Sequence, residues 1–166
     1  MDFLVNFFID LFGGISKEVI AFIISLMPIL ELRGGMIAAF ALKIEYLTAL
    51  CICILGNILP IPFVLLLLNY ILNLFGKWKV TKKIVDWLEE KVESKREQID
   101  KYGYWGLILF VGIPLPGTGA WTGALLAVML GLDRKKSFIC ILLGVVMAAA
   151  IMSLPYGIRW ILEIFA

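Results

Sequence analysis

Four long apolar stretches determine what this 166-residue chain can fold into. They cover residues 18–42, 46–75, 104–132 and 137–165, and each is long enough for the roughly 20 residues of a membrane-spanning helix. Hydrophobic residues make up 62% of the sequence, against roughly 45–50% in soluble domains. The chain is therefore predicted to be an all-α integral membrane protein with a single membrane domain over residues 1–166.

The residues on which enzymes and metal sites depend are scarce. Histidine is absent, and the three cysteines, Cys51, Cys53 and Cys140, all lie inside apolar stretches. This pattern argues against a zinc site, a disulfide framework and a Cys/His nucleophile. We expect no enzyme activity, cofactor or metal, and the net charge of +2 gives no indication of a nucleic-acid partner.

Two segments outside the spanning stretches are predicted to be amphipathic helices. Residues 1–16 lack the basic flank of a signal peptide and are too short to cross a bilayer, which favours a helix lying at the interface; a frayed terminus is the alternative. Residues 76–103 contain eight of the fifteen Lys and Arg residues. Apolar residues recur at helical spacing in this second segment, at Val80, Ile84, Trp87, Leu88 and Val92.

The first and third apolar stretches are interrupted where a spanning helix should be most regular. The sequence reads SLMPILELRGG from residue 25 and GIPLPGTGAWTG from residue 112. Proline removes a helix donor and glycine weakens a helix. Broken backbone survives at membrane depth only where it is buried in protein or lines a wet cavity. We predict re-entrant hairpins, meaning broken helices that enter and leave on one face, at residues 17–43 and 104–132; full spans are the alternative.

The two halves of the chain repeat at a spacing of 88 residues. The matching pairs are Pro28 and Pro116, Gly35 and Gly123, Ala39 and Ala127, Leu42 and Leu130, Leu55 and Leu143, and Gly56 and Gly144. Repeat 1 covers residues 17–75 and repeat 2 covers residues 104–166, joined by the amphipathic helix. If each repeat consists of one hairpin and one transmembrane helix, each repeat crosses the membrane once. Because one is an odd number of crossings, the two repeats must have inverted orientations. The hairpins would then meet near the midplane, where inverted-repeat transporters place their sites.

The distribution of basic residues predicts the orientation. With two hairpins, the middle helix and the segment 133–136 lie on one side and carry most of the Lys and Arg residues. The positive-inside rule places that side, with the middle helix, in the cytoplasm. Four plain spans would give a similar charge balance, so the broken segments decide between the two arrangements.

The first broken segment carries the strongest candidate site, formed by Glu31, Arg33, Gly34 and Gly35. Ionisable residues inside a membrane are costly, which points to a function. Burial raises the proton affinity of a carboxylate, whereas a nearby guanidinium lowers it. This balance makes Glu31 a candidate proton-responsive group. The alternative is a structural Glu–Arg pair, or two side chains that reach water near the interface.

The second broken segment offers backbone amides and hydroxyls instead of charge, the groups from which anion sites are built. Its candidate binding residues are Pro114, Pro116, Gly117, Thr118, Gly119, Trp121, Thr122 and Gly123. Alternatively, the threonines bond to backbone groups freed by the prolines, and the GxxxG spacing serves helix packing. Asn57, between Gly56 and Pro60, predicts a kink that faces the interior; it contributes either to the site or to an interhelical hydrogen bond.

The strings GIPLPGTGAWTG, ALLAVMLGLDRKKS, ICILLG and LELRGGMIAAF resemble the small multi-drug export protein family over roughly residues 17–153. That family is similar, more distantly, to the DedA and SNARE-associated Golgi (VTT) membrane proteins. The resemblance implies a transporter of the cytoplasmic (inner) membrane, with two opposed re-entrant hairpins and lipid translocation. It places Glu31 and Arg33 at the charged positions of the first hairpin. The second hairpin lacks the arginine of many DedA proteins and has Trp121 and Thr122 in that neighbourhood.

Together these features favour a small DedA-like transporter of an amphipathic or lipid-phosphate-like substrate. Either a proton, acting through Glu31, or sodium would be the coupling ion. Membrane lipids are the expected partners, and the small size of the chain is compatible with a homodimer. An energy-independent lipid scramblase and a non-transporting membrane scaffold are the alternatives.

Overall fold

The computed structural model describes residues 14–75, 102–115 and 117–154. These residues fold into seven helices and contain no strand, which confirms the all-α prediction for this part of the chain. The helices are α1 Lys17–Leu26, α2 Glu31–Ala41, α3 Tyr46–Ile58, α4 Ile61–Phe75, α5 Tyr102–Gly112, α6 Ala120–Met129 and α7 Arg134–Met152. The predicted amphipathic helices at residues 1–16 and 76–103 lie almost entirely outside the described residues, and Pro116 lies outside them too.

Two helical segments in the described ranges are long and apolar enough to cross a membrane. They are Tyr46–Leu68 and Arg134–Met152, within the second and fourth apolar stretches of the sequence. The first is interrupted between α3 and α4, because Pro60 and Pro62 have no backbone N–H to continue the helical ladder. These segments support the prediction of a membrane protein.

The other helices are paired into hairpins of short helices. α1 has 10 residues and α2 has 11, so each extends about 15–17 Å, roughly half of the ~30 Å hydrocarbon layer. Their outer ends lie together, since Lys17 Nζ donates to the carbonyl oxygen of Lys43 at 3.4 Å. In the hairpin of α5 and α6, the backbone N–H of Asp133 donates to the Tyr104 hydroxyl at 3.2 Å. Both hairpins therefore end close to where they start.

The chain divides into two compact units that do not coincide with the two repeats. The first unit contains Met1–Leu59 and Val145–Ala166, and the second contains Pro60–Gly144. In the first, α1 packs against α2 and α3, and Tyr46 Oη donates to Ser153 Oγ at 3.1 Å. In the second, α4 packs against α6.

Glycines allow the closest helix contacts in each unit, at matching positions. A Cβ atom on Gly35 would collide with the Ser25 side chain, and one on Gly56 would lie 2.7 Å from the Phe22 carbonyl oxygen. In the second unit, a Cβ on Gly123 would lie 2.5 Å from Val111, and one on Gly144 would lie 2.9 Å from the Ile108 carbonyl oxygen. The glycines that the sequence paired therefore have the same packing role.

The turn after each hairpin also repeats, bond for bond, at the spacing of 88 residues. Lys43 and Gly131 both have positive φ, at 53° and 68°. Ile44 N–H donates to Ala39 at 3.0 Å, and Leu132 N–H donates to Ala127 at 2.9 Å. A carboxylate then caps the following helix, at Glu45 and at Asp133. The inverted orientation of the two repeats stays a prediction.

Candidate functional site

The tip of the first hairpin is built by a proline and an unusual backbone conformation. The last turn of α1 closes with the Met27 N–H donating to Ile24 O at 3.2 Å, and Pro28 then cannot continue the helix. α2 begins at Glu31, which has φ 51°, a left-handed conformation that is uncommon for residues other than glycine. The Glu31 N–H donates to Met27 O at 2.9 Å and holds the tip closed.

The acid and the base of this hairpin interact, as the sequence suggested. Glu31 is buried, with 6% of its surface exposed, and its carboxylate lies close enough to attract the half-buried guanidinium of Arg33. A buried charge is tolerated only where it is paired and hydrogen-bonded. This arrangement can hold a proton on the carboxylate or present the guanidinium to an anion.

Gly34 and Gly35 support the hairpin by close packing. A Cβ on Gly34 would lie 2.6 Å from the Leu30 Cβ and 3.2 Å from the Ile24 side chain. Gly35 faces Ser25, a residue that the sequence analysis did not single out. The Ser25 hydroxyl is fully buried and donates to Ala21 O at 2.9 Å.

Asn57 lies in the same unit, just before the break between α3 and α4. It is 2% exposed, and its Oδ1 atom has no hydrogen-bond partner among the described residues. Because proline has no N–H, Pro60 and Pro62 offer no helical donor to the carbonyl groups of Gly56 and Ile58. The break thus combines a buried side-chain oxygen with backbone oxygens that have lost their helical partners.

In the second unit, the residues between α5 and α6 form a loop stabilised by local hydrogen bonds. Thr118 Oγ1 lies 3.0 Å from Ile113 O and 2.9 Å from Leu115 O, and the Thr122 hydroxyl donates to Gly119 O at 3.3 Å. These bonds favour the structural alternative for both threonines, in which they satisfy carbonyl groups near the prolines.

The other candidate residues of this loop shape its backbone or pack nearby. Gly117 and Gly119 have φ of 78° and 148°, which glycine adopts without strain. Pro114 and Trp121 are half-buried, and Gly123 faces α5.

An apolar groove of about 320 Å³ extends from the start of α5 to this loop. It is lined by Tyr102, Gly106, Leu109, Phe110, Ile113, Leu115 and Thr118. The helical spacing of Tyr102, Gly106, Leu109 and Phe110 could have shown that these four residues share one face of α5. The groove itself also depends on how the loop folds back, which periodicity does not give.

A second buried hydroxyl escaped the sequence analysis. Ser137, in the first turn of α7, is fully buried, and its Oγ atom has no hydrogen-bond partner in the described ranges. The preceding residues Arg134, Lys135 and Lys136 are exposed, and Lys136 Nζ lies 5.8 Å from the centre of the Tyr104 ring. Because Ser137 follows three basic residues, the sequence favours an exposed position for it and gives no indication that it is buried.

In a comparison with known families, residues 31–151 match a family described as "putative small multi-drug export protein". The matched region begins at Glu31 and includes Arg33, Asn57 and the second broken segment. No curated protein and no solved structure matches the chain.

Proposed function

The chain belongs to the small multi-drug export protein family, and from that premise we propose that it is a transporter of the cytoplasmic membrane. Its substrate in this proposal is amphipathic or lipid-phosphate-like, and a proton bound at Glu31 couples to its movement. Two membrane-capable helices support a membrane location, and the family description supports export rather than catalysis.

The observation that carries the proposal is the buried carboxylate at the broken tip of the first hairpin. Glu31 is 6% exposed and interacts with Arg33. When Glu31 takes up a proton, its carboxylate becomes neutral and its attraction for the guanidinium weakens. Arg33 is then available to an anionic headgroup, which a guanidinium binds through paired hydrogen bonds. Loss of the proton restores the attraction and favours release of the substrate.

The second unit supports an amphipathic substrate. The groove along α5 is mostly apolar and has a volume of about 320 Å³, in the lower part of the range of ligand pockets, roughly 300–1,000 Å³. An acyl or prenyl chain fits such a lining, since it buries apolar surface without needing hydrogen-bond partners.

Transport by purified protein in liposomes tests the proposal. The probe is a fluorescent lipid phosphate, and its movement is followed by chemical quenching on the outer leaflet, with and without a pH gradient. We expect gradient-driven movement by the wild type. Glu31→Gln should slow it by about tenfold or more, as expected for loss of one interaction with a charged group.

Glu18→Gln is the matched control, because Glu18 is a half-buried acid in the first turn of α1. It should transport like the wild type. Gradient-coupled transport by Glu31→Gln at the rate of the wild type would refute the role of Glu31. Equal movement with and without the gradient would instead identify an energy-independent scramblase, and no movement at all would favour a scaffold.

A further inference from the structure

The apolar groove of the second unit is about as long as one leaflet of a membrane. Its lining runs from Tyr102, at the start of α5, to Ile113, just past the end of this helix. The 11 residues of α5 extend about 17 Å, and one leaflet is about half of the ~30 Å hydrocarbon layer. Apart from Tyr102 and Thr118, the residues that line the groove are apolar. These dimensions and this lining fit one extended acyl chain of a phospholipid.

The two ends of the groove differ in the way that an interface differs from the centre of a membrane. At the start of α5, Tyr102 is 53% exposed and Trp105 is 73% exposed, and both residue types concentrate at the level of the headgroups. At the other end, the Thr118 hydroxyl bonds to the carbonyl oxygens of Ile113 and Leu115. Irregular backbone at membrane depth needs such partners. A lipid in the groove would therefore have its headgroup at the Tyr102 end.

The turn at the start of α7, residues 133–136, brings positive charge to the same end of the hairpin. This basic turn has one acid, Asp133, and a net formal charge of +2. Its three basic residues are all exposed: Arg134, Lys135 and Lys136. Tyr104, in the first turn of α5, contacts the basic turn twice. Its hydroxyl accepts the N–H of Asp133 at 3.2 Å, and Lys136 Nζ lies 5.8 Å from the centre of its ring.

The stability of α7 does not account for these three cations. The N-terminal end of a helix carries a partial positive charge, so basic residues in the first turn oppose the helix dipole. A nearby anion would remove this conflict. Helix α5 is about 10–12 Å wide with its side chains, close to the ~8–10 Å over which charges act in salt solution. The basic turn therefore attracts an anionic headgroup at the end of the groove without needing to contact it.

We propose that the second unit binds an anionic phospholipid, with one acyl chain in the groove and its headgroup attracted by the basic turn. Two separate features each fit one part of this ligand, the groove its chain and the cations its charge. Because the positive-inside rule places the basic turn in the cytoplasm, the lipid belongs to the cytoplasmic leaflet. The inference rests on the proposed function, to which it adds the charge and the leaflet of the lipid that enters the groove.

Native mass spectrometry of the purified protein in detergent tests the site without measuring transport. Phosphatidylglycerol, which is anionic, competes with phosphatidylcholine, which has no net charge and carries the same acyl chains. A basic residue close to the headgroups strengthens the binding of an anionic lipid by about fivefold. We therefore expect the wild type to bind phosphatidylglycerol about tenfold or more tightly than phosphatidylcholine.

Two pairs of substitutions test the headgroup end. Lys135→Gln combined with Lys136→Gln removes two cations of the basic turn and should lower the preference for phosphatidylglycerol by about fivefold or more. Lys17→Gln combined with Lys43→Gln is the matched control. It also removes two exposed lysines, but at the outer end of the first hairpin, and should keep the preference of the wild type.

A larger side chain in the groove tests the site of the acyl chain. Leu109 lines the groove and is 45% exposed, so Leu109→Trp fills the groove without adding bulk to the core. It should weaken the binding of both lipids by about tenfold or more, as expected when two or more methylene groups lose their contacts. Ile139→Trp is the control, because Ile139 is 56% exposed on α7 and does not line the groove. It should bind both lipids like the wild type.

The outcomes separate this inference from the proposed function. Equal binding of the two lipids by the wild type, or a preference that the lysine pair of the basic turn does not change, overturns the headgroup role. Unchanged binding by Leu109→Trp overturns the chain site. Either result counts against the inference even if Glu31→Gln abolishes transport. Loss of the preference in the basic turn and loss of binding in Leu109→Trp establish the site, even if transport does not depend on Glu31.

Discussion

Glu31 occupies a backbone position that suits glycine better than glutamate. Its φ of 51° lies in the left-handed region, and the residue 88 positions later is Gly119, with φ 148°. Holding a side chain there costs on the order of 1–3 kcal/mol, and burying its carboxylate adds to the cost. The second hairpin avoids both costs with a glycine. Stability therefore does not account for a glutamate at this position, whereas the proton-binding role that we propose for Glu31 would.

Glu45 gives a prediction for stability as a function of pH. It caps α3 from outside the span: its carboxylate accepts the backbone N–H groups of Thr48 and Leu47 and the Thr48 hydroxyl, and these bonds lower its pKa. The folded protein therefore holds the Glu45 proton less tightly than the unfolded chain, whose Glu pKa is about 4.3. The cap should be fully stabilising above that value and be lost as the pH falls through the lower pKa of the folded state.

Melting curves between pH 3 and pH 7 check this expectation for Glu45. The wild type should lose stability on acidification more steeply than Glu45→Gln, whose amide cannot ionise, and the two curves should converge at the acid end. Glu18→Gln serves as the charge-matched control. A wild-type curve parallel to that of Glu45→Gln would contradict the capping role.

At the scale of helices, four glycines determine how closely the elements approach. Gly123→Ala should destabilise the protein by about 1–3 kcal/mol, the usual cost of overpacking, because the new methyl group would lie 2.5 Å from Val111 Cγ2. Combining it with Val111→Ala should recover part of the loss, so the double variant should be more stable than the sum of the single effects predicts. Additive effects of the two substitutions on thermal unfolding would show that the added methyl group does not clash with Val111.

The helix ends could be predicted from sequence because their causes are local. Pro28 ends α1, Pro60 interrupts the second apolar stretch, and the segment from residue 112 separates α5 from α6. The burial of Ser25 and Ser137 and the backbone conformation of Glu31 depend on neighbours that are distant in sequence. Periodicity and composition contain no information about those neighbours. The charged pair of the first hairpin could be found because ionisable residues stand out in an apolar stretch.

Across the whole molecule, the orientation in the membrane follows from which segments face the same side. Single cysteines at Lys43, Ser94 and Lys135, in a cysteine-free background, report it through labelling by a membrane-impermeant reagent. We expect labelling of Ser94→Cys and Lys135→Cys from the cytoplasm and of Lys43→Cys from outside. Lys43 and Lys135 are exposed, whereas the neighbouring Ser137 is buried and would not react. Labelling of Ser94→Cys and Lys135→Cys from opposite sides would make residues 104–132 a true span.

The division into compact units bears on how the protein is made. The first unit needs Val145–Ala166 in addition to Met1–Leu59, and the second is formed by the sequence between them. A ribosome therefore releases the beginning of the first unit long before its end. During synthesis the first unit therefore stays incomplete until the whole second unit has been made. The second unit can therefore be completed before the first, and the helices of Met1–Leu59 acquire their last neighbours only after the whole second unit has been synthesised.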